Sequence, residues 1–596
     1  MKRNIYNIKN IGLMGLMGLM GLMQTGCADF LEIKPQNEII MEDFWNEKAD
    51  VDNVVAGCYS ALLQDGVRRR MMVWGEARSE NIMSGQNINS DANLYNILKE
   101  NITAMNAYTT WDGFYDIINR CNTVLKYAPG VAELDPAYTV GDLNATIAEV
   151  SAIRDLCYFY LIRTFRDVPY SEEAFTDDDQ VMDLPATPFY TVLGNLIADL
   201  EKVKDNAVTR YPETKPRYQT GRITKDVIHA MLCEMYLWNK DYDNCIKYAD
   251  LVIDSKKQME EERRNKNGNR SLGGSNQTMI DARLNGFPLV NDRLTGTNFG
   301  EAYEEIFIQG ASKETIFELS YDDNPEPNGM TSNSAISALY GNSTSKKGLL
   351  APSTVVTEDI TNNSGRTIFD DNNKYLDSRL YTNCSADDGV ITKYATEMAS
   401  INAGSVSNTQ KASASYSYFT EKNNGSKWII YRLPDIMLMK AEALCQQMQE
   451  GTEESVLEFN KPKLDAAFYL VNAINKRSLC KATLADADTL KAVNYTTKSL
   501  MEELVIRERH RELMFEGKRW YDLVRYALRE NSTSRIMSAA ANRDDVNKQF
   551  VQSFFKKMDA IFWPYNNEEM KVNLNLVPNP AFSSGESSSI EKTTAN

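Results

Sequence analysis

The chain is poor in the residues that most often build metal centres. Its 596 residues include only two histidines and nine cysteines. The histidines, His229 and His510, lie far apart in sequence, and no two cysteines form a C-x-x-C pair. Because zinc sites need closely spaced His and Cys ligands, these absences argue against a His/Cys metal centre. We expect neither a metal ion nor a cofactor.

Sequence motifs of the common enzyme classes are missing too. The chain has no G-x-S-x-G elbow, no H-E-x-x-H pair and no glycine-rich phosphate loop. It does contain 82 acidic residues, so pairs of carboxylates occur by chance and carry little information. No residue stands out as a nucleophile, and we expect a protein that is not an enzyme.

The chain also lacks a surplus of positive charge. Its formal charge is −17, and loss of Lys2, Arg3 and Lys9 with an N-terminal signal would leave about −20, since −17 − 3 = −20. Such a charge argues against a surface for nucleic acid or anionic lipid. It suits a neutral or cationic ligand.

Residues 1–26 have the pattern of an export signal. A positive start is followed by a short apolar run at 11–23, which is too short to span a bilayer. Thr25 and Gly26 then lead into Cys27, and this arrangement resembles the lipobox of bacterial lipoproteins, although Gln24 stands where leucine is usual. We expect Cys27 to be acylated and to anchor the mature chain to a membrane. The alternative is cleavage by an ordinary signal peptidase nearby, which would leave Cys27 as a simple thiol.

Apolar residues at spacings of three and four predict a mostly helical mature chain. The clearest example is 222–254, where two apolar stripes are separated by a turn at 239–241, which predicts two antiparallel helices of tetratricopeptide length. The other cysteines, such as Cys157 in an apolar helical run, are expected to be buried thiols. The further helical stretches that we predict are 43–64, 111–127, 145–166, 188–205, 433–449 and 464–477.

The middle of the chain breaks this helical rhythm. Residues 256–430 are rich in Asn, Gly, Ser and Thr and contain a β-type run at Thr315 to Leu319. We predict long loop excursions with a few short strands, packed on the helical frame. Within one domain over 27–596, this middle part separates an N-terminal helical part, 27–255, from a C-terminal one, 431–596. Long ordered excursions are where binding sites usually lie.

The segment 504–526 is dense in charge. Opposite charges three residues apart predict the ion pairs Glu508 with Arg511, Arg509 with Glu512, and Glu516 with Arg519 on one helix face. Two hypotheses follow. Glu508 or Glu512 and Glu516 would serve as acid and base in a glycosidase, or the charges form an internal network that fixes the fold. We favour the network.

Several segments together resemble one family, the SusD/RagB nutrient-binding lipoproteins of the bacterial outer membrane. The most specific is LVIRERHRELMFEGKRWYDLVRY at 504–526, which follows the family pattern RER-x-RE-L-x-FEG-x-RW-x-DL-x-R. The corner that ends 148–170 is similar too, although Arg166 stands where glycine is common. The remaining matches are CADFLEIKP at 27–35, GRITK at 221–225, IYRLPDIMLMKAEA at 430–443 and PYNNEEMKVNLNLVPNPAF at 564–582.

The resemblance implies a fold and a function. The fold would be mostly α, with tetratricopeptide-like helical hairpins that form a right-handed superhelical frame. The protein would be lipid-anchored at the outer membrane of a Gram-negative bacterium and exposed at the cell surface. There it would bind an oligosaccharide without cleaving it and deliver it to a SusC-like TonB-dependent transporter, which the tetratricopeptide face would contact.

Candidate ligand contacts lie where aromatic and polar residues mix in loops, because sugar rings stack on aromatic faces while their hydroxyls are read by polar side chains. The segment 84–110 has this mix, as does 321–342. Trp74, Trp111 and Tyr115 are instead predicted to be core residues. The predicted ligand-binding residues are Asn89, Asp91, Tyr95, Tyr108, Tyr321, Asn328 and Tyr340.

Three alternatives remain open at this point. In the first, the ligand is a peptide, for which we expect pockets for backbone groups rather than one or two stacking rings. In the second, the protein is a surface glycosidase. In the third, it is a structural adaptor that uses its helix pairs only for contacts with other proteins.

Overall fold

The structure is a computed structural model that describes residues 44–177, 179–266, 274–292, 297–321, 332–357, 368–369, 374–404, 406, 410–543 and 545–582. The predicted signal at 1–26, the predicted lipid site Cys27 and the predicted ligand contact Asn328 lie outside this part of the chain. They stay predictions, as does the division into three parts.

Helices dominate the described residues, which confirms the predicted fold class. Outside the pair at 222–254, each predicted helical stretch coincides with a helix, with bounds that differ by up to ten residues. The helices are Lys48–Leu62, Asp65–Glu76, Ala92–Leu98, Asp112–Leu134, Val140–Phe165, Phe189–Val203, Pro216–Gly221, Lys225–Trp238, Tyr242–Lys266, Gly274–Arg283, Glu301–Tyr303, Ser334–Tyr340, Thr354–Thr357, Arg379–Thr382, Leu433–Gln446, Glu454–Arg477, Lys498–Leu513, Arg519–Glu530, Ser534–Ala541, Lys548–Phe554 and Asn567–Val572.

The long helices pack as antiparallel pairs against their neighbours in the chain. The predicted pair at 222–254 is present as Lys225–Trp238 and Tyr242–Lys266, and Lys240 in the turn between them adopts a positive φ of 61°. The helix Lys225–Trp238 is buried from Asp226 to its end, since neighbours cover both of its faces. This stacking of helix pairs buries each apolar face against the next, as in a solenoid.

The stack continues across the loop-rich middle of the chain. The helix Leu433–Gln446 packs directly on Tyr242–Lys266, although the two are far apart in sequence, and Glu454–Arg477 packs on its other side. Lys440 Nζ forms an ion pair with Asp250 at this junction. The middle of the chain is therefore an insertion between two consecutive helix pairs of one frame.

The strands are short and antiparallel. The predicted run Thr315–Leu319 is a strand with these bounds, and it pairs with Trp428–Arg432, which leads into the helix Leu433–Gln446. This pairing ties the interior of the inserted segment to its C-terminal end. The other strands are Ile82–Ser84, Val168–Pro169, Ala186–Thr187, Asn298–Phe299, Leu350–Pro352, Cys384–Ser385, Val390–Ile391, Thr396–Asn402 and Ser413–Tyr418.

The corner at Arg166 explains why glycine is common there. The helix Val140–Phe165 ends at Arg166 with φ 72° and ψ −78°, and Asp167 N donates to Phe165 O at 3.1 Å across it. This is a tight γ-turn, a backbone conformation that strains any residue with a Cβ. The Arg166 guanidinium offsets part of the strain through ion pairs with Asp167 and Asp559.

All eight cysteines in the described residues are buried and unbridged, which confirms the prediction of buried thiols. Cys157 and its neighbours lie inside the helix Val140–Phe165, where every residue from Ala148 to Phe165 is buried. The thiols act as small apolar side chains that fill space between helices.

Candidate functional site

The charged segment 504–526 lies in the interior. It forms the helices Lys498–Leu513 and Arg519–Glu530, joined by a turn. Of the three local ion pairs that the spacing predicts, Glu508 with Arg511 is present at 2.9 Å. The other two predictions are wrong, because their members find partners elsewhere in the chain.

Two of these partners, Asp435 and Glu80, come from other parts of the chain, and a third, Asp522, lies in the second helix of the same segment. Arg509 pairs with Asp435 at 2.6 Å and with Asp522 at 2.9 Å, while Arg519 pairs with Glu80 at 2.6 Å. A helix break after Leu513 turns Glu516 and Arg519 away from each other. The local rule fails because it describes exposed helix faces, whereas a buried charge must take whichever counter-ion the packing supplies.

Glu512 is the centre of the network. Its carboxylate receives Arg432 Nη1 at 2.5 Å and Arg379 Nη1 at 3.0 Å, and it also bonds Arg477. Burial would raise the pKa of Glu512, yet Arg477, Arg432 and Arg379 together hold this pKa well below its usual range. The carboxylate is 2% exposed and stays ionised.

Glu516 and Glu508 are enclosed in the same way. Glu516 bonds Lys393 at 2.6 Å and Arg432 at 2.7 Å, and Glu508 bonds Arg379 at 2.7 Å. A general acid needs a raised pKa and contact with substrate. The pKa of each of the three carboxyl groups is lowered, and each group is buried among its ion-pair partners, so they do not support the glycosidase hypothesis and belong to an internal charge network.

The turn of this segment positions a second region. Gly517 adopts a φ of 69°, and a Cβ on Gly75 would lie only 1.8 Å from Gly517 O, so only glycine fits at 75. Glu76 accepts hydrogen bonds from Phe515 N and Gly517 N, both at 3.2 Å. The C-terminal end of the helix Asp65–Glu76 is thereby fixed to the charge network.

The same helix also faces the loops at 84–110. Trp74 Nε1 donates to Tyr108 O at 2.8 Å, and Arg70 Nε donates to Thr110 O at 2.8 Å. The side chain of Asn106 in turn donates to Asn93 O at 2.9 Å. These bonds hold the loop and the short helix Ala92–Leu98 as one rigid unit.

This unit and the neighbouring helix Asp65–Glu76 present what we call the Tyr95 surface, formed by Arg69, Asn89, Asp91 and Tyr95 and backed by Tyr108, which is 6% exposed. Asp91 Oδ1 caps the helix by accepting from Leu94 N at 2.9 Å, and its Oδ2 accepts from the Tyr108 hydroxyl at 2.7 Å. Burial and Asp91 raise the pKa of the Tyr108 phenol, while the neighbouring Arg69 lowers it. The phenol therefore stays protonated and fixed.

The Tyr95 ring is the accessible aromatic group of this surface. It is 39% exposed, and Lys99 Nζ lies 5.3 Å from the ring centroid. Lys99 is held there by an ion pair with Asp545 at 3.2 Å. Asn89, in the loop before this helix, is exposed, and half-buried Arg69 lies beside the Tyr108 phenol. An apolar ring face with amide, carboxylate and guanidinium groups around it has the chemistry to bind a sugar ring.

Tyr321 and Tyr340 lie in the interior instead. Tyr340 is fully buried, and its hydroxyl donates to Phe515 O at 3.0 Å. Tyr321 is 2% exposed, with its hydroxyl bonded to Arg68 and the Arg68 guanidinium 4.5 Å from its ring centroid. Neither ring has a free face in this structure, so we leave both out of the Tyr95 surface. The apolar residues that flank them gave too weak a pattern to indicate burial.

Arg69 is a member of the Tyr95 surface that the sequence did not indicate. It lies in the run Arg68–Arg70, whose three guanidinium groups point to different partners. Arg68 contacts Tyr321, and Arg70 contacts the loop at Thr110. The sequence offers only one indication of this role. Consecutive residues of a helix point in different directions, so Arg69 lies on a different face from Arg68. The core predictions for Trp74 and Trp111 are confirmed, with 0% and 4% exposure.

Comparison with known proteins decides the family. A family model described as "SusD family" matches residues 313–582, and one described as "Starch-binding associating with outer membrane" matches residues 29–237. The chain belongs to the SusD/RagB family. A SusD-like protein of Formosa agariphila is 24% identical over 530 residues, which are 84% of this chain and 88% of that protein.

Solved structures of SusD-like proteins share the fold. A laminarin-binding SusD-like protein has a TM-score of 0.57 and 17% identity, with 90% of this chain and all of that chain covered. Surface glycan-binding protein A of Bacteroides thetaiotaomicron, solved with laminarihexaose, has a TM-score of 0.58 and 15% identity, again covering 90% and 100%.

Two further features of the described residues bear on function. None of their helices is both long and apolar enough to cross a membrane. No group of three or more His, Cys, Asp or Glu side chains among them is arranged to hold a metal ion.

Proposed function

We propose that this SusD/RagB protein is a lipoprotein anchored through Cys27 at the cell surface of the outer membrane. It binds an oligosaccharide without cleaving it and delivers it to a SusC-like TonB-dependent transporter. The tetratricopeptide-like helix pairs form the rigid frame, and the loops at 84–110 carry the ligand.

The single observation that carries the glycan proposal is the Tyr95 surface. An exposed ring stands on a rigid unit that also carries Asn89 and Asp91, and Arg69 lies beside Tyr108, whose hydroxyl bonds Asp91. Stacking of such a ring on the apolar face of a sugar contributes binding free energy, and polar side chains near the ring can exchange hydrogen bonds with the sugar hydroxyl groups. Two structural relatives, one laminarin-binding and one solved with laminarihexaose, make β-glucan oligosaccharides a sensible first ligand set.

The test is isothermal titration of the soluble protein, starting at Ala28, against a panel of oligosaccharides that includes laminari-oligosaccharides. We expect binding of one glycan and no new products in the mixture. Tyr95→Ala should weaken this binding by about tenfold or more, because loss of a stacking ring removes about 1.4 kcal/mol or more. Tyr190→Ala is the matched control, since Tyr190 is 50% exposed on the helix Phe189–Val203 and should change nothing.

Other outcomes identify the alternatives. Binding of peptides but not of sugars would replace the glycan with a peptide as the ligand. Cleavage of a bound sugar would reveal a glycosidase. If the protein binds no sugar and no peptide but still binds the transporter, it is a structural adaptor. Equal binding by Tyr95→Ala and Tyr190→Ala would remove the Tyr95 surface from the proposal.

A further inference from the structure

A patch of exposed apolar side chains lies away from the Tyr95 surface and is formed by two segments distant in sequence. Val181 and Met182 are 69% and 54% exposed, and Val572, Leu574 and Val577 are 76%, 85% and 78% exposed. We call these five residues the apolar patch. Clusters of this kind on soluble proteins commonly mark contact surfaces for other molecules.

The two segments are tied to each other. Asn573 Nδ2 donates to Leu184 O at 2.8 Å, and Asn575 Nδ2 donates to Asp183 O at 2.5 Å. Leu576, between the exposed residues, is 7% exposed and packs inward. The backbone is thus fixed while the apolar side chains on either side of Leu576 point to solvent.

A cleft of about 450 Å³ opens beside the patch and shares Met182 and Val572 with it. Several of its polar lining groups already have partners within the protein. Asn119 exchanges two hydrogen bonds with Phe175, and the Tyr115 hydroxyl donates to Pro169 O at 2.7 Å. The cleft thus offers mainly aromatic and aliphatic walls, which suit an apolar side chain better than a sugar.

The surroundings of the patch are acidic. The segment 168–184 contains six acidic residues and no Lys or Arg, and 566–577 contains two glutamates and Lys571. At the cleft, the side chains of Asp112 and Asp116 are 75% and 54% exposed. Their neighbours Arg70, at 3.8 Å, and Arg120, at 2.9 Å, offset part of this charge. The acidic excess favours a basic partner and disfavours an anionic lipid surface.

We infer that the apolar patch and its cleft are the docking surface for an extracellular segment of the SusC-like transporter, one that carries apolar side chains next to Lys or Arg. This inference rests on the proposed function, because it takes the transporter as the partner. The apolar side chains of the segment enter the cleft and cover the patch, while its basic groups face the acidic rim. The Tyr95 surface takes no part in this contact.

The experiment places a photoreactive amino acid at Met182 in the full-length, lipidated protein, in cells that also make the transporter. Irradiation should link position 182 to a transporter peptide that contains Lys or Arg beside apolar residues, as read by mass spectrometry. Val572→Lys combined with Leu574→Lys should reduce the yield at least about tenfold, because the change removes apolar contact and places two positive charges against a basic partner. Val493→Lys is the control, since Val493 is 79% exposed elsewhere.

Glycan binding separates this inference from the proposed function. The soluble double variant should bind glycan as the unchanged protein does, and Tyr95→Ala should keep the crosslink. A crosslink that persists when no glycan binds would support the docking surface and reject the glycan proposal. The docking surface is overturned if the crosslink reaches lipid, a second copy or residues 28–42 of the same chain, or if the double variant leaves the yield unchanged.

Discussion

The charge network around Glu512 and the Tyr95 surface are both rich in charged and aromatic residues, yet they differ in what those residues touch. At Glu512 three guanidinium groups converge on one carboxylate that is 2% exposed. At the Tyr95 surface the ring is 39% exposed, and Asn89 beside it faces solvent. The density of charge in a segment therefore does not distinguish a binding surface from a structural network. The two are distinguished by whether the charged groups already have partners inside the protein.

The two regions are nevertheless connected. The helix Asp65–Glu76 carries Arg69 at the Tyr95 surface and ends at Glu76, which caps the turn after the charged helix. The charge network thus fixes the position of the helix that supports the loop unit. Damage to the interior should reduce stability, whereas damage to the Tyr95 surface should change affinity alone.

The largest expected effect comes from Glu512→Gln. The change removes the charge that balances Arg379, Arg432 and Arg477, and uncompensated buried charges cost about 3–5 kcal/mol. We expect a loss of this size in the free energy of unfolding, measured by guanidinium denaturation. Lys461→Ala is the control: its ion pair with Asp465 is 72% and 61% exposed, and it should cost less than about 0.5 kcal/mol. Equal losses for the two variants would contradict the contrast between interior and surface.

A second prediction concerns pH. His510 is buried, with its Nε2 bonded to Asn81 Oδ1, and burial, reinforced by Arg519, lowers its pKa to about 3. The unfolded chain takes up this proton near pH 6.5, so stability should fall as the pH drops from 6.5 towards 3. The loss from this group should reach about 3 kcal/mol at pH 4.

The measurement compares the unfolding free energy of the unchanged protein and His510→Gln between pH 7 and pH 4. Glutamine keeps a donor for Asn81 but cannot titrate, so the variant should lose less stability on acidification. Parallel curves for the two proteins would show that folded His510 accepts a proton at its ordinary pKa.

The smallest expected effect lies at the corner residue Arg166. Glycine relieves the positive φ, whereas alanine keeps the strain, and both remove the ion pairs with Asp167 and Asp559. We expect Arg166→Gly to be more stable than Arg166→Ala by about 1 kcal/mol. Thermal or denaturant unfolding of the two variants measures the difference directly. Equal stability would mean that the turn relaxes when the arginine is removed.

The sequence predicted the helical frame well because periodic apolar residues report burial along a single helix. The pair around Lys240 and the strand Thr315–Leu319 were both predicted. Of the predicted ligand contacts, Asn89, Asp91, Tyr95 and Tyr108 come together in one surface, but Tyr321 and Tyr340 are interior. A tyrosine in a polar segment gives no sign of whether another segment will cover it.

The sequence by itself determined the helices, the family pattern at 504–526 and the use of cysteines as buried thiols, since each depends on residues close together in the chain. Tertiary structure alone decided which charges meet. Glu512 binds arginines from 80, 35 and 133 residues away, and Asn573 bonds Leu184 across most of the chain. Such contacts depend on how the helices pack. The role of a buried charge or of an exposed apolar group is set by neighbours that are distant in sequence, and no local sequence pattern identifies those neighbours.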